Sequence, residues 1–213
     1  MTDDRERPSV VLITSHDLGQ HVGCYGIETV ETPNLDQLAA DGVRFENAVT
    51  TTPVCSPSRG SLLTGRYPQS NGLLGLTHSP WWWEIDDAEE TLPELLGEAG
   101  YETHLAGLQH VATPDRMGFQ HAHSEDADAE ETTAAAADLF ATAGDDPFYA
   151  QIGFTEVHRS FDQGTYTDDG VYVPPYLEET DDTREDFAAF QASVNYFDEK
   201  VGEVLDEIGR AHV

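Results

Sequence analysis

Apolar positions along the chain follow two rhythms. Residues 9–14 (SVVLIT) form a short, nearly unbroken apolar run rich in β-branched side chains, the pattern of a strand covered on both faces. Residues 148–154 (FYAQIGF) read the same way, and residues 101–106 and 44–50 read as further extended stretches. Elsewhere the spacing turns helical. Thr32 as N-cap, Pro33 behind it, Leu35 and Leu38 on one face and Gly42 past the end predict a short helix. Ser56, Pro57 and Ser58 repeat that pattern ahead of Leu62, Leu63 and the stop at Gly65, which puts Cys55 just before a helix N-terminus.

Residues 91–100 (TLPELLGEAG) predict another capped helix, and the alanine-rich residues 128–143 a further one. Phe187, Phe190, Val194, Phe197, Val201, Val204, Leu205 and Ile208 recur at helical spacing, as in one long amphipathic helix covering a sheet face. Strands alternating with helices predict an α/β sandwich with a largely parallel central sheet flanked by helices. Ligands bind such sheets beyond the carboxyl ends of the strands. His16, Asp17, His110 and His158 all follow predicted strands and would converge there.

Composition narrows the picture. With 213 residues, 38% of them hydrophobic, the chain can build one sizeable core, and no repeat or compositional break divides it, so one domain over residues 1–213 is expected. Forty-one acidic residues against ten basic ones give a formal charge of -31. That charge disfavours nucleic acid and anionic lipid as partners, and its spread along the chain suits a halophilic source. The N-terminus lacks the features of a signal peptide and no apolar stretch is long enough to span a bilayer, so a cytoplasmic location is expected. Two cysteines, Cys24 and Cys55, cannot make a disulfide framework, and Cys24 reads as packing.

The chemistry concentrates in residues 55–66, CSPSRGSLLTGR. A helix N-terminus favours a sulfate group or a developing oxyanion, and Arg59 adds a planar cation suited to tetrahedral anions. This segment resembles the signature of the formylglycine-dependent sulfatases, members of the alkaline phosphatase superfamily, in which such a cysteine is oxidised to formylglycine. The resemblance extends to residues 9–26 (SVVLITSHDLGQHVGCYG) and 31–59, where the family places two metal-binding aspartates after the first strand. Here His16 stands at the first and Asp17 keeps the second.

Residues 100–111 (GYETHLAGLQHV) resemble the family segment ending Gly-Lys-Trp-His, with Leu108 and Gln109 replacing lysine and tryptophan and His110 matching the histidine that assists formylglycine. Residues 153–161 (GFTEVHRSF) place His158 as general acid toward the leaving oxygen, with Val157 in a proline position.

The resemblance therefore implies a catalytic set of Cys55, Arg59, His110 and His158 and a metal set of Asp17, His16 and Cys55. It implies calcium or another divalent metal, and formylglycine derived from Cys55. In the family the aldehyde is hydrated, one hydroxyl attacks sulfur, and the other drives sulfate release. A sulfated small molecule or sugar and the formylglycine-generating machinery are the implied partners.

Calcium takes six to eight oxygen ligands, and His16 offers nitrogen. The family completes its metal site beyond the long helix, so the chain reads as a C-terminally truncated catalytic domain with poor turnover. The alternatives are a phosphate or phosphonate monoester hydrolase of the same superfamily and a non-catalytic anion-binding remnant. Trp81, Trp82 and Trp83 lie where sulfatases build substrate pockets, and three adjacent tryptophans predict at least one in the core. His78, His104, His121, His123 and His212 receive no role, and the acidic residues 178–182 read as solvated surface.

Overall fold

A computed structural model describes residues 7–125, 128–144, 146–161, 163 and 170–211; His212 lies outside them. Four strands, β1 (Val10–Thr14), β2 (Glu102–Gly107), β3 (His121–Ser124) and β4 (Phe148–Gly153), form one sheet in the order β1-β4-β2-β3. Every pairing is parallel. β4 and β2 occupy the centre, and β4 is buried along its whole length, as its apolar run requires.

Among the described residues, six α-helices accompany the sheet: α1 (Pro33–Asp41), α2 (Cys55–Thr64), α3 (Pro68–Asn71), α4 (Leu92–Glu98), α5 (Ala129–Thr142) and α6 (Asp181–Ala211). One core joins Ala106, Ala150 and Ile152 to α5 and α6 through Ala136, Leu139, Val194, Phe197 and Val201. A second, on the opposite face, joins Leu105 and Tyr149 to Leu63, Leu73, Ile85 and Phe119. Alternate strand residues therefore feed alternate layers, which is the expected three-layer sandwich.

Two expectations fail for physical reasons. Residues 44–50 form no strand: Val43, Phe45 and Val49 are largely exposed, so nothing packs on the stretch to hold it extended. β3 was not anticipated, because its sequence, HAHS, is polar and its residues sit at the sheet edge. A third expectation holds in position but not in detail. Thr32 precedes α1, yet its hydroxyl accepts from Gly23 N rather than capping the helix.

The cap comes instead from α6. Asp198, 1% exposed, accepts from Leu35 N at 2.8 Å, Asn34 N at 3.2 Å and the Asn34 side chain at 2.9 Å. A carboxylate at a helix N-terminus meets both unsatisfied donors and the positive end of the helix dipole. Asp198→Ala is therefore expected to destabilise the chain by about 2 kcal/mol, while Asp198→Asn recovers part of the loss. Urea denaturation of both variants checks this, and an unchanged midpoint for Asp198→Ala would refute the cap.

Candidate active site

β1, β2 and β4 end side by side, and the loops leaving them carry the chemistry. β2 and β4 both finish on glycine, Gly107 opposite Gly153, and Leu108 N donates to Gly153 O at 2.7 Å. A side chain at Gly153 would put its Cβ 1.8 Å from Leu108 O, and Gly107 has a left-handed φ of 76°. The two strand ends can approach this closely only as glycines. Consequently the loops after them, bearing His110 and His158, leave from one point.

His16 and Asp17 follow β1. The loop is tied to the β4 loop by His16 N donating to Glu156 O and Val157 N donating to His16 O, both at 2.7 Å. His16 is buried, with its ring centroid 4.6 Å from that of His158 and 6.0 Å from that of His110. Burial lowers the His16 pKa, Asp17 opposes the shift, and Arg59 and His158 reinforce it. Asp17 Oδ1 lies 3.0 Å from His16 Nδ1 and Asp17 Oδ2 lies 3.9 Å from His158 Nε2.

Cys55 is the first residue of α2, two positions further into the helix than expected, and the preceding Val54 offers no side-chain cap. One turn on, Arg59 is 7% exposed and lies against the end of β1, donating to Ser15 O at 2.9 Å and Thr14 Oγ1 at 3.2 Å. Burial pulls the Arg59 pKa down, and Cys55 and Asp17 pull it back up. The guanidinium stays protonated and supplies a fixed positive charge beneath the helix end.

All six residues singled out from the sequence thus meet at one end of the sheet. Ligand atoms of His16, Cys55 and His110 lie within 4.8 Å of one another, as do those of His16, Asp17 and His158. The buried His16 Nδ1 has no aligned hydrogen-bond partner despite the nearby carboxylate. An orphaned ring nitrogen between a carboxylate and a second imidazole fits a divalent cation. Asp17 is the one carboxylate in these two groups, so among the described residues the donor set is richer in nitrogen than a hard calcium ion prefers.

Two further residues escaped the sequence reading. His78 stacks on His110 with ring centroids 5.3 Å apart and planes 3° from parallel. No spacing relative to Cys55 or His110 marks it; only its place just ahead of the tryptophans does. Gln109, buried, accepts from Val111 N at 2.8 Å and donates to Ala112 O, so it braces the tight loop in which His110 takes a left-handed φ of 58°.

A cleft of about 800 Å³ opens on the histidine side of this constellation, lined by His16, His78, His110 and His158 together with Trp82, Trp83 and Arg116. Contrary to expectation, none of the three tryptophans is in the core: Trp81, Trp82 and Trp83 are 55%, 65% and 41% exposed. Trp81 sits edge-on to His78 outside the cleft.

Comparison with known proteins decides the family, because the sulfatase family model matches residues 8–213. The chain belongs to the sulfatase family. It is 30% identical to human N-sulphoglucosamine sulphohydrolase over 98% of its own length and 49% of that relative's. Against human N-acetylgalactosamine-6-sulfatase it is 41% identical over 49% of its length and 22% of the relative's. This sulfatase chain thus spans about half the length, or less, of these curated relatives.

In fold it is similar to a Bacteroides thetaiotaomicron protein of glycosaminoglycan metabolism, with a TM-score of 0.80 at 18% identity, covering 96% of this chain and 58% of that one. A structure solved with its substrate D-glucosamine-2-N,6-O-disulfate matches with a TM-score of 0.74 at 17% identity, covering 96% and 63%. Among the described residues, no helix of the sulfatase chain is long and apolar enough to cross a membrane.

Proposed function

We propose that residues 1–213 are the N-terminal catalytic part of a sulfatase that hydrolyses the sulfate ester of a sugar, with Cys55 oxidised to formylglycine. The observation that carries this reading is the seating of Cys55 on the uncapped first turn of α2, against His16 and His110 and above the buried Arg59. Formylglycine, when formed, supplies a pair of geminal hydroxyls at this position. A divalent cation, calcium or another, would be held by His16, Asp17 and the oxygen derived from Cys55, and would neutralise charge on the sulfate oxygens.

The chain's own residues account for the rest. Arg59 and the first-turn N–H groups of α2 set a positive field where a sulfate would sit, and they need not reorganise as its charge grows. His110, held by the Gln109 loop and stacked on His78, is placed to manage a proton at position 55. His158, half exposed at the cleft, is placed to protonate the departing sugar oxygen. Leu108, buried, brings no charge where the family's lysine would stand, which leaves Arg59 as the fixed cation beside Cys55.

Trp82 and Trp83 line the cleft with flat apolar faces suited to a sugar ring. The substrate named for the structural neighbour and the sulphohydrolase and sulfatase relatives support a sulfated amino sugar. A phosphate or phosphonate ester would meet the same Arg59 and helix end, but no relative supports it better. Expressed with formylglycine-generating machinery, the chain is expected to yield a peptide spanning Cys55 with the mass of the aldehyde. Mass spectrometry reads this directly, and a peptide carrying only unmodified cysteine would sink the proposal.

A further inference from the structure

At the opposite end of β2 from the catalytic loops lies a second group of ligating side chains. Glu102 and His104 project from the same face of β2, and His121 stands opposite His104 on the edge strand β3. Ligand atoms of these three lie within 4.8 Å of one another. Glu102 is the hub: its carboxylate is 2.7 Å from His121 Nε2 and 3.9 Å from His104 Nε2. From Glu102 to Gly107 the strand runs roughly 17 Å, so this group is separate from the catalytic cluster.

The surroundings orient His104 toward that hub. Its ring is buried between His121 and His123, stacked with centroids 4.8 Å and 5.4 Å away, and meets the edge of Phe148 at 6.1 Å. Its other nitrogen, Nδ1, lies 3.2 Å from His123 Nε2. The β2–β3 register slips between Leu105 and Ala106, leaving His123 without a partner residue on β2. That slip sets an imidazole behind His104 in the position of the hydrogen-bond acceptor that metal-binding histidines use to fix their tautomer.

We propose that Glu102, His104 and His121 bind a divalent transition ion of the zinc type, with His123 as the positioning residue behind His104. Two imidazoles and a carboxylate are a ligand set that zinc accepts with an open fourth position for water, and they are the wrong donors for calcium or magnesium. Ligands about 2 Å from such an ion stand roughly 3.3 Å apart, and the side chains of Glu102 and His121, each about half exposed, have room to draw in. Asp138, on α5, adds a negative field next to His123. A polar edge strand alone would resist aggregation equally well with lysines, and would not need two stacked imidazoles beside one carboxylate with a third imidazole behind them. The ion fastens β3, a four-residue edge strand, to the buried β2.

The test is a calorimetric titration of the metal-stripped chain with Zn2+, read beside Zn2+-dependent thermal melting. The wild type is expected to gain about 5 °C at saturation. His121→Ala and Glu102→Gln are each expected to lose one bound equivalent, or to weaken it at least 100-fold, and to lose the gain in melting temperature. Asp17→Asn, which alters the catalytic cluster, keeps the equivalent bound at Glu102, His104 and His121 and the gain in melting temperature that goes with it. Circular dichroism verifies folding, and Glu102→Gln, conservative and half exposed, carries the test if His121→Ala does not fold. Stoichiometry and affinity within tenfold of wild type in both edge variants would overturn the proposal, whatever becomes of the catalytic reading.

Discussion

Exchange of Cys55 for alanine is expected to lower the sulfate-ester turnover of the chain, already expected to be poor, to the uncatalysed level. The magnitude follows from the geometry. Arg59, the α2 N-terminus, His110 and His158 are all arranged around position 55, so without a nucleophile there they bind an anion and do nothing further. Binding should survive: inorganic sulfate is expected to dissociate with an affinity within about tenfold of wild type, since the fixed positive field is intact. Cys55→Ser restores one hydroxyl but not a second to expel sulfate, so it should stall after at most one turnover. A steady-state assay on an aryl sulfate, run with the same protein preparations used for sulfate binding, checks both variants. Turnover by Cys55→Ala within a hundredfold of the converted wild type would remove the nucleophile from position 55.

The second large effect belongs to Gly153. Its Cβ in Gly153→Ala would fall 1.8 Å from Leu108 O and 2.7 Å from Leu108 C, both backbone atoms that cannot rotate away. To admit one methyl group, the ends of β2 and β4 must part and the 2.7 Å hydrogen bond from Leu108 N to Gly153 O must lengthen or break. A loss of about 4 kcal/mol is expected, at the upper end for a single substitution. Because the loops bearing His110 and His158 leave from this point, activity should fall further than the unfolded fraction explains. Denaturant unfolding and kcat, measured on the same samples, separate the two losses. A variant as stable as wild type would show that the strand ends tolerate a side chain.

Sequence legibility followed the source of each signal. β1, β4 and α6 were readable because apolar patterning is strong where an element is buried, and α5 because its alanines favour a helix, whereas its cap, Asp128 accepting from Glu131 N at 2.9 Å, is a finding of the structure. β3 was not readable: its HAHS segment draws its conformation from β2 alone, through backbone pairing that leaves no hydrophobic trace. The cap of α1 was assigned to the adjacent Thr32, whereas the acceptor is Asp198, a residue 164 positions away that no local rule can find.

The site divides the same way. Cys55, Arg59, His110, His158, His16 and Asp17 could be named because the motif around Cys55 fixes a register, and the fold brings their loops together at the strand ends. His78 and Gln109 could not. One acts by stacking on a neighbour from a loop that follows no period, and the other by side-chain bonds to its own loop, so neither leaves a spacing to detect. The largely exposed tryptophans show the reverse error, in which bulk was taken as a sign of burial although two of the three line an open cleft.

α6 ties itself to the start of the chain through side-chain hydrogen bonds. Gln191 receives Thr29 Oγ1 at 2.9 Å and meets His21 Nε2 at 3.2 Å, while Asp198 caps α1, across sequence separations of 162 to 170 residues. β1, likewise, has no strand neighbour until β4 is present. During synthesis the loop that carries His16 and Asp17 must therefore wait, unanchored, while most of the chain leaves the ribosome. Throughout that interval residues 55–66 have no finished sheet to pack upon, so under the proposed function an oxidising enzyme would meet Cys55 in an open segment. Topology would then act as a clock, setting how long position 55 stays accessible before α6 docks on the start of the chain.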